Sequence, residues 1–241
     1  MNTIGLLGGM SWESTVPYYR LINQAVKAHL GGLHSARLVL YSVDFHEIER
    51  LQHAGRWEEA GLALADAART LERAGAECIV LATNTMHKVA PAIEAAVAIP
   101  LQHIVEPTAA AIKAAGHAKV GLLGTRFTME EDFYRARLEH RHGIAVLIPE
   151  REDREEVHRI IYDELCLGIV SDASRSFYRA AIARLTARGA QAVILGCTEI
   201  TLLVTAQDCA VPLYDTTTLH AAHAAQFALH GQAVRPSDIP R

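Results

Sequence analysis

Short apolar runs alternate with longer amphipathic stretches along this chain. Residues 3–7 are apolar and run into Gly8-Gly9, the pattern of a strand entering a tight turn. Over 14–30 the apolar residues recur at helical spacing, and Gly31-Gly32 closes the helix. Residues 36–43 alternate as a strand does. Residues 57–74 are rich in Ala and Leu at helical spacing and stop at Gly75. The same reading gives a buried strand over 78–82, a helix over 89–97, a short strand over 100–104 and a helix over 108–115. The cycle restarts with a strand over 119–123. Strands alternating with helices predict an α/β fold, with parallel strands covered by helices on both faces.

The two halves of the chain repeat each other. Ile4-Gly-Leu-Leu-Gly8 is matched by Val120-Gly-Leu-Leu-Gly124. Arg73-Ala-Gly75-Ala followed by Ile79-Val-Leu81 is matched by Ala187-Arg-Gly189-Ala followed by Val193-Ile-Leu195. Ile99-Pro100-Leu101 is matched by Val211-Pro212-Leu213, and the offset drifts only from 116 to 112 residues. An internal duplication follows: two pseudo-symmetric lobes of about 115 residues, each a parallel sheet flanked by helices. The expected division is 1–115 and 116–230, with part of the C-terminus packing back on the first lobe and a loose tail over 231–241. Duplicated lobes bind ligands in a cleft lined by loops at the carboxyl ends of their strands.

Composition narrows the function class. The chain has 241 residues, half of them hydrophobic, enough for a buried core. The net charge of −4 gives no footprint for nucleic acid or an anionic membrane. No stretch reaches the ~18 apolar residues of a membrane helix. The first residues lack the basic-then-apolar pattern of a signal peptide. Four cysteines, Cys78, Cys166, Cys197 and Cys209, are too sparse for a disulfide scaffold, so a cytoplasmic protein with free thiols is expected. The histidine pairs His140/His142 and His220/His223 lack further ligands at metal-site offsets, and no metal is expected.

The loops after the repeated strands carry the chemistry. After Leu81 comes Ala82-Thr-Asn-Thr-Met-His87, and after Leu195 comes Gly196-Cys-Thr-Glu-Ile200. Aligning Gly75 with Gly189 pairs Thr83 with Cys197 and Asn84 with Thr198. One lobe therefore presents a hydroxyl where the other presents a thiol. Asn84, Thr85, Thr198 and loop N–H groups suit a carboxylate. A thiol at a strand-to-helix turn is expected to have its pKa lowered by the helix N-terminus, making a base or a nucleophile.

Three segments, Ile4-Gly-Leu-Leu-Gly-Gly-Met-Ser-Trp-Glu-Ser14, Thr83-Asn-Thr-Met-His87 and Gly196-Cys-Thr-Glu-Ile200, resemble the aspartate/glutamate racemase family. Within it they resemble the bacterial aspartate/glutamate-specific or broad-specificity amino-acid racemases. The resemblance runs from Thr3 to about Leu229. It implies a small amino-acid substrate, no cofactor and two-base proton transfer at Cα. It also implies that hydrogen bonds to the substrate carboxylate stabilise the carbanion. The family is often dimeric, which admits a homodimer. Residue by residue, Cys197 matches the second catalytic cysteine. Asn84, Thr85 and Thr198 match carboxylate-binding positions, and Met10, with Gly9, matches the loop that borders the substrate.

The departure from the family pattern falls on one catalytic position. Where the family has Cys-Asn-Thr, this chain has Thr83-Asn84-Thr85. An alternative register sets the missing thiol at Ala82; the repeat spacing favours Thr83. A hydroxyl is a far weaker acid than a thiol of reference pKa ~8.5, so Thr83 is no standing base but can donate a proton. The expected catalysis is lopsided: Cys197 deprotonates the L face, Thr83 reprotonates the other, and L to D is kinetically favoured.

Gln52 and Cys166 stand where acid-binding relatives tend to have basic residues, with Arg50 and Arg126 as compensating cations. An acidic substrate and a broader neutral range such as homoserine both remain open. So does a single-cysteine decarboxylase or isomerase of the same superfamily. Thr128 is a further candidate lining residue, His87 a tuning residue and Glu199 an orienting one. Cys78 and Cys209 read as structural, and Trp12 and Trp57 as packing residues.

Overall fold

The computed structural model describes residues 1–231; the tail expected from 231 onward lies, beyond Gly231, outside the described residues. The chain divides into two compact units: Met1–Ile104 with the stretch from His220 onward, and Val105–Leu219.

The first unit contains β1 (Ile4–Gly8), α1 (Trp12–Leu30), β2 (Leu38–Ser42), α2 (Phe45–His53) and α3 (Trp57–Arg73). It continues with β3 (Cys78–Leu81), a 3-10 turn (Thr85–Val89), α4 (Ala90–Glu94) and β4 (Leu101–Gln102). The strands are all parallel, in the order β2-β1-β3-β4. Side chains alternate across the sheet, as the strand period of two requires. Leu7, Ile79 and Leu81 face one way, onto Leu64, Ala67, Ala68 and Leu71 of α3. Ile4, Leu6, Cys78 and Val80 face the other, onto Tyr18, Ile22 and Val26 of α1. That second face is completed by Ala221, Ala224 and Ala225 from the last helix, Thr216–His230.

The second unit opens with α5 (Val105–Ala114), β5 (Lys119–Gly124), α6 (Arg126–Glu130) and α7 (Asp132–Ala136). A π turn (Arg137–Arg141), β6 (Ala145–Leu147), α8 (Arg151–Asp163), a 3-10 turn (Leu165–Leu167) and α9 (Asp172–Ala187) follow. Then come β7 (Val193–Gly196), 3-10 turns over Thr198–Leu202 and Ala206–Asp208, and β8 (Leu213–Asp215). The last helix is α10. The order β6-β5-β7-β8 repeats that of the first unit strand for strand.

The repeated sequence pieces occupy equivalent places. Gly75 and Gly189, at φ +92° and +95°, turn the chain into β3 and β7. The Pro100 carbonyl accepts from Ile79 N, and the Pro212 carbonyl accepts from Val193 N, both at 2.9 Å. The division falls after Ile104 because α5 packs on β8 and the π turn, inside the second unit.

Two local readings change. The segment 45–53 forms α2, with Asp44 as N-cap accepting from His46 N, where the pattern gave no helix. The helix expected over 89–97 is shorter, preceded by the 3-10 turn Thr85–Val89. Among the described residues, no helix is long and apolar enough to cross a membrane.

Candidate active site

In an open parallel sheet, ligands sit where the strand order reverses, outside the carboxyl ends of the strands. That point lies between β1 and β3 in the first unit and between β5 and β7 in the second. The loops that leave these strands carry most of the candidate residues.

Gly8-Gly9-Met10 leaves β1 in the first unit. Gly9 has φ +91°, and a Cβ there would lie 2.3 Å from the Val43 carbonyl oxygen, so only glycine fits. Gly9 N–H donates to Thr15 Oγ1 at 2.8 Å. Met10 is buried in the core against α3. The loop after β3 is held from several sides. Thr83 N–H donates to the Leu81 carbonyl, and His87 N–H to the Asn84 carbonyl. Thr83, Asn84 and Thr85 are all buried. Gln52, buried on α2, donates from Nε2 to Met86 Sδ at 2.8 Å, which docks α2 beside this loop.

His87 is buried in the 3-10 turn, with Nδ1 2.7 Å from the Thr83 carbonyl and Nε2 accepting from Ile104 N–H. His103 stacks edge-on against it. His220 lies on α10. It accepts from Tyr18 OH and donates from Nε2 to the Gln102 carbonyl. Burial holds it well below the ordinary histidine range, with His87 adding to the effect. The sequence reading had this residue only as half of a histidine pair.

Cys197 follows β7 in the second unit and is the N-cap residue of the turn Thr198–Leu202. Its Sγ lies 3.0 Å from Glu199 Oε2, and Thr198 Oγ1 donates to the same oxygen at 2.8 Å. Cys166, half-buried in the 3-10 turn after α8, lies 4.0 Å from Glu199 Oε1, at the outer limit of contact. The buried Glu199 carboxylate thus gathers both thiols and the Thr198 hydroxyl.

Here the electrostatics overturn an expectation. Burial raises the Cys197 thiol well above the ordinary range, and the negative charge of Glu199 adds to it, with Cys166 contributing further. A five-residue 3-10 turn is too short a dipole to reverse this. Cys197 therefore rests as a thiol.

The other candidates fall outside these clusters. Thr128 is fully buried on α6, 3.2 Å from the Oγ1 of Thr125, the N-cap residue. Arg50 is exposed on α2. Arg126 is exposed and stands over the Phe127 ring. Cys78 is packed in β3, where burial pushes its thiol up to about 12. Trp12 is 65% exposed, so its expected packing role fails, whereas Trp57 is covered by Lys88 Nζ at 3.7 Å. Among the described residues, no group of three or more His, Cys, Asp or Glu side chains is arranged to hold a metal ion.

The family model for Asp/Glu/Hydantoin racemase matches residues 7–224. The broad specificity amino-acid racemase RacX of Bacillus subtilis (strain 168) is 31% identical over 138 residues. That match covers 54% of this chain and 58% of RacX, so the chain aligns with little more than half of that curated relative. A crystal structure from Yersinia pestis, provisionally called an Asp/Glu racemase, is 62% identical with a TM-score of 0.89. It matches over 95% of this chain and 100% of its own. An aspartate racemase homologue from Pyrococcus horikoshii OT3 is 35% identical with a TM-score of 0.82 over the same shares. With a family match across nearly its whole described length and these two folds alongside, the chain belongs to the Asp/Glu/Hydantoin racemase family.

Proposed function

We propose that this chain is an amino-acid racemase that works without a cofactor, with Cys197 and Thr83 transferring protons at Cα. The observation that carries the reading is the Cys197–Glu199 contact of 3.0 Å. A thiol hydrogen-bonded to a buried carboxylate has an adjacent acceptor for its proton. The pair shares one proton, and its passage to Glu199 leaves a thiolate on Cys197. That thiolate takes the α-proton from the L face. The Thr83 hydroxyl gives its proton to the opposite face, water reprotonates it, and the hydroxide so formed takes the proton held on Glu199, which restores the resting pair. Asn84, Thr85 and Thr198 hydrogen-bond the substrate carboxylate, where negative charge builds as the proton leaves. Met10, Gln52, Cys166 and Thr128 border the substrate.

Enantiomers have equal free energy, so the equilibrium constant is one and kcat/KM is the same in both directions. The L-to-D bias that we propose resides in kcat and KM separately. Gln52 and Cys166 carry no positive charge, so the substrate is an acidic amino acid held without a basic clamp or a mid-sized neutral one. The breadth in RacX's name fits the second choice. The four free cysteines fit a cytoplasmic enzyme, and the family resemblance supports a homodimer.

The test is chiral chromatography over a panel of L-amino acids, with Cys197→Ser as control. The D isomer accumulates from at least one substrate with the natural enzyme and not with the variant. Undiminished conversion by Cys197→Ser, or a product of lower mass, removes the reading.

A further inference from the structure

We propose that His87 is the positioning residue for Thr83, acting through one proton fixed on Nδ1. The proposal rests on the assignment of Thr83 as the second proton-transfer group and adds what holds it.

The hydrogen-bond network fixes the state of the ring. Ile104 N–H can only donate, and it points at His87 Nε2 from 3.2 Å. Nε2 therefore carries the lone pair. The Thr83 carbonyl can only accept, and it lies 2.7 Å from Nδ1. Nδ1 therefore carries the proton, and His87 is the neutral Nδ1–H tautomer. Both main-chain polar groups of Thr83 are then engaged: its N–H by the Leu81 carbonyl at 2.9 Å, its C=O by His87. The Thr83 main chain is thus held on both sides, which fixes the position of the Cβ that carries the hydroxyl.

The ring is itself immobilised. His103 packs at a centroid distance of 4.5 Å and His220 at 5.9 Å. His220 grips the Gln102 carbonyl while His87 grips Ile104 N–H, so the two rings fasten the end of β4 and the segment that follows it. The Gln102 carbonyl, which only accepts, places the proton of His220 on Nε2, and Tyr18 OH then donates to the bare Nδ1. A chain of neutral, fully specified histidines thus runs from α1 and α10 to the Thr83 carbonyl. A histidine needed only to fill space would be served by any ring of that size. This one uses its two nitrogens in opposite senses, and only the Nδ1 side meets the proposed proton donor.

The two conservative variants separate the nitrogens. In His87→Asn the amide NH₂ replaces Nδ1–H and the acceptor for Ile104 is lost. In His87→Gln the amide oxygen replaces Nε2 and the donor to Thr83 is lost. Each variant removes one hydrogen bond, so a structural role predicts equal effects. The readout is made in deuterated solvent with an L substrate: D product formed, divided by deuterium returned to recovered L substrate. Return to the L face needs Cys197 alone, and inversion needs Thr83 as well. His87→Gln lowers the ratio by about fivefold or more, the size of one buried hydrogen bond. His87→Asn restores it to within about twofold of the natural value, a smaller loss than one hydrogen bond. Equal losses in both variants, or no change in His87→Gln, overturn the proposal.

Nitrogen-15 NMR of the natural protein at neutral pH is a second test that needs no variant. A His87 resonance pattern with Nδ1 protonated and Nε2 bare is expected, and the reverse tautomer overturns it. If the natural enzyme neither exchanges nor inverts any amino acid, the racemase reading fails. The NMR result then still decides whether His87 holds Thr83.

Discussion

Replacing Glu199 by Gln tests how the Cys197 thiol is held. The carboxylate accepts from Cys197 Sγ at 3.0 Å and from Thr198 Oγ1 at 2.8 Å, and it is buried. The Sγ–H···carboxylate bond exists only while Cys197 is protonated, so it favours the thiol. A hydrogen bond to a charged group is worth about 1.5–3 kcal/mol, against about 1 kcal/mol for a neutral pair. The amide keeps an acceptor and loses the charge, so the thiol loses about 1–2 kcal/mol of relative stabilisation. At a pH below its titration, that raises the thiolate fraction by about 5- to 30-fold. Thiolate is the species that reacts with iodoacetamide, so alkylation at Cys197 accelerates by the same factor. Peptide-resolved mass spectrometry distinguishes it from Cys166 and Cys209, which are also half-buried. An unchanged or slower rate at Cys197, in a Glu199→Gln protein with native circular dichroism, refutes the claim that Glu199 holds the thiol neutral.

Other consequences follow from the same structure. Thr83→Cys supplies a thiol where the natural residue is a poor base, and it raises the saturating D-to-L rate by about 10²-fold, the usual worth of a general base; an unchanged ratio of D-to-L and L-to-D rates counts against Thr83. Gly9→Ala forces a side chain into φ +91° against the Val43 carbonyl. It costs at least about 1–2 kcal/mol from the backbone alone, seen as a lower urea midpoint. His220 is buried neutral, with its pKa held below the unfolded value. The unfolded chain then binds more protons below about pH 6.5, so stability is full above that pH and falls as acid is added. The slope from this residue is at most about 1.4 kcal/mol per pH unit, and His220→Gln flattens it in urea titrations from pH 7.5 to 5.5.

The sheets were legible because their central strands β1, β3, β5 and β7 are almost wholly buried, because β1, β5 and β7 end in glycine, and because each half repeats the other. The order β2-β1-β3-β4 recurring as β6-β5-β7-β8 is the structural form of the Gly-Leu-Leu-Gly and Ile-Pro matches. Helix α2 escaped detection because its buried positions are Ile48 and Gln52. A glutamine on the inward face breaks the apolar stripe, and its bond to Met86 is a contact that spacing along the chain does not reveal. Cys197 was legible in the Gly-Cys-Thr loop, but its protonation was not. Whether Glu199 turns its carboxylate back on residues 197 and 198 depends on the conformation of a 3-10 turn, which no spacing encodes. The His87 network was equally hidden, since its partners at 18, 83, 102, 104 and 220 are scattered along the chain. Thr128 was singled out by its place after a repeated strand; its contact with the cap residue Thr125 was not legible.

The central claim is that Cys197 and Thr83 are an unequal pair. Saturating initial rates from each enantiomer of one accepted substrate in deuterated solvent, with deuterium followed in recovered substrate and product, test it most directly. The account predicts a faster rate from the L form, with deuterium returning to unconverted L substrate and none to unconverted D substrate. Equal saturating rates with equal deuterium in both recovered enantiomers would contradict it.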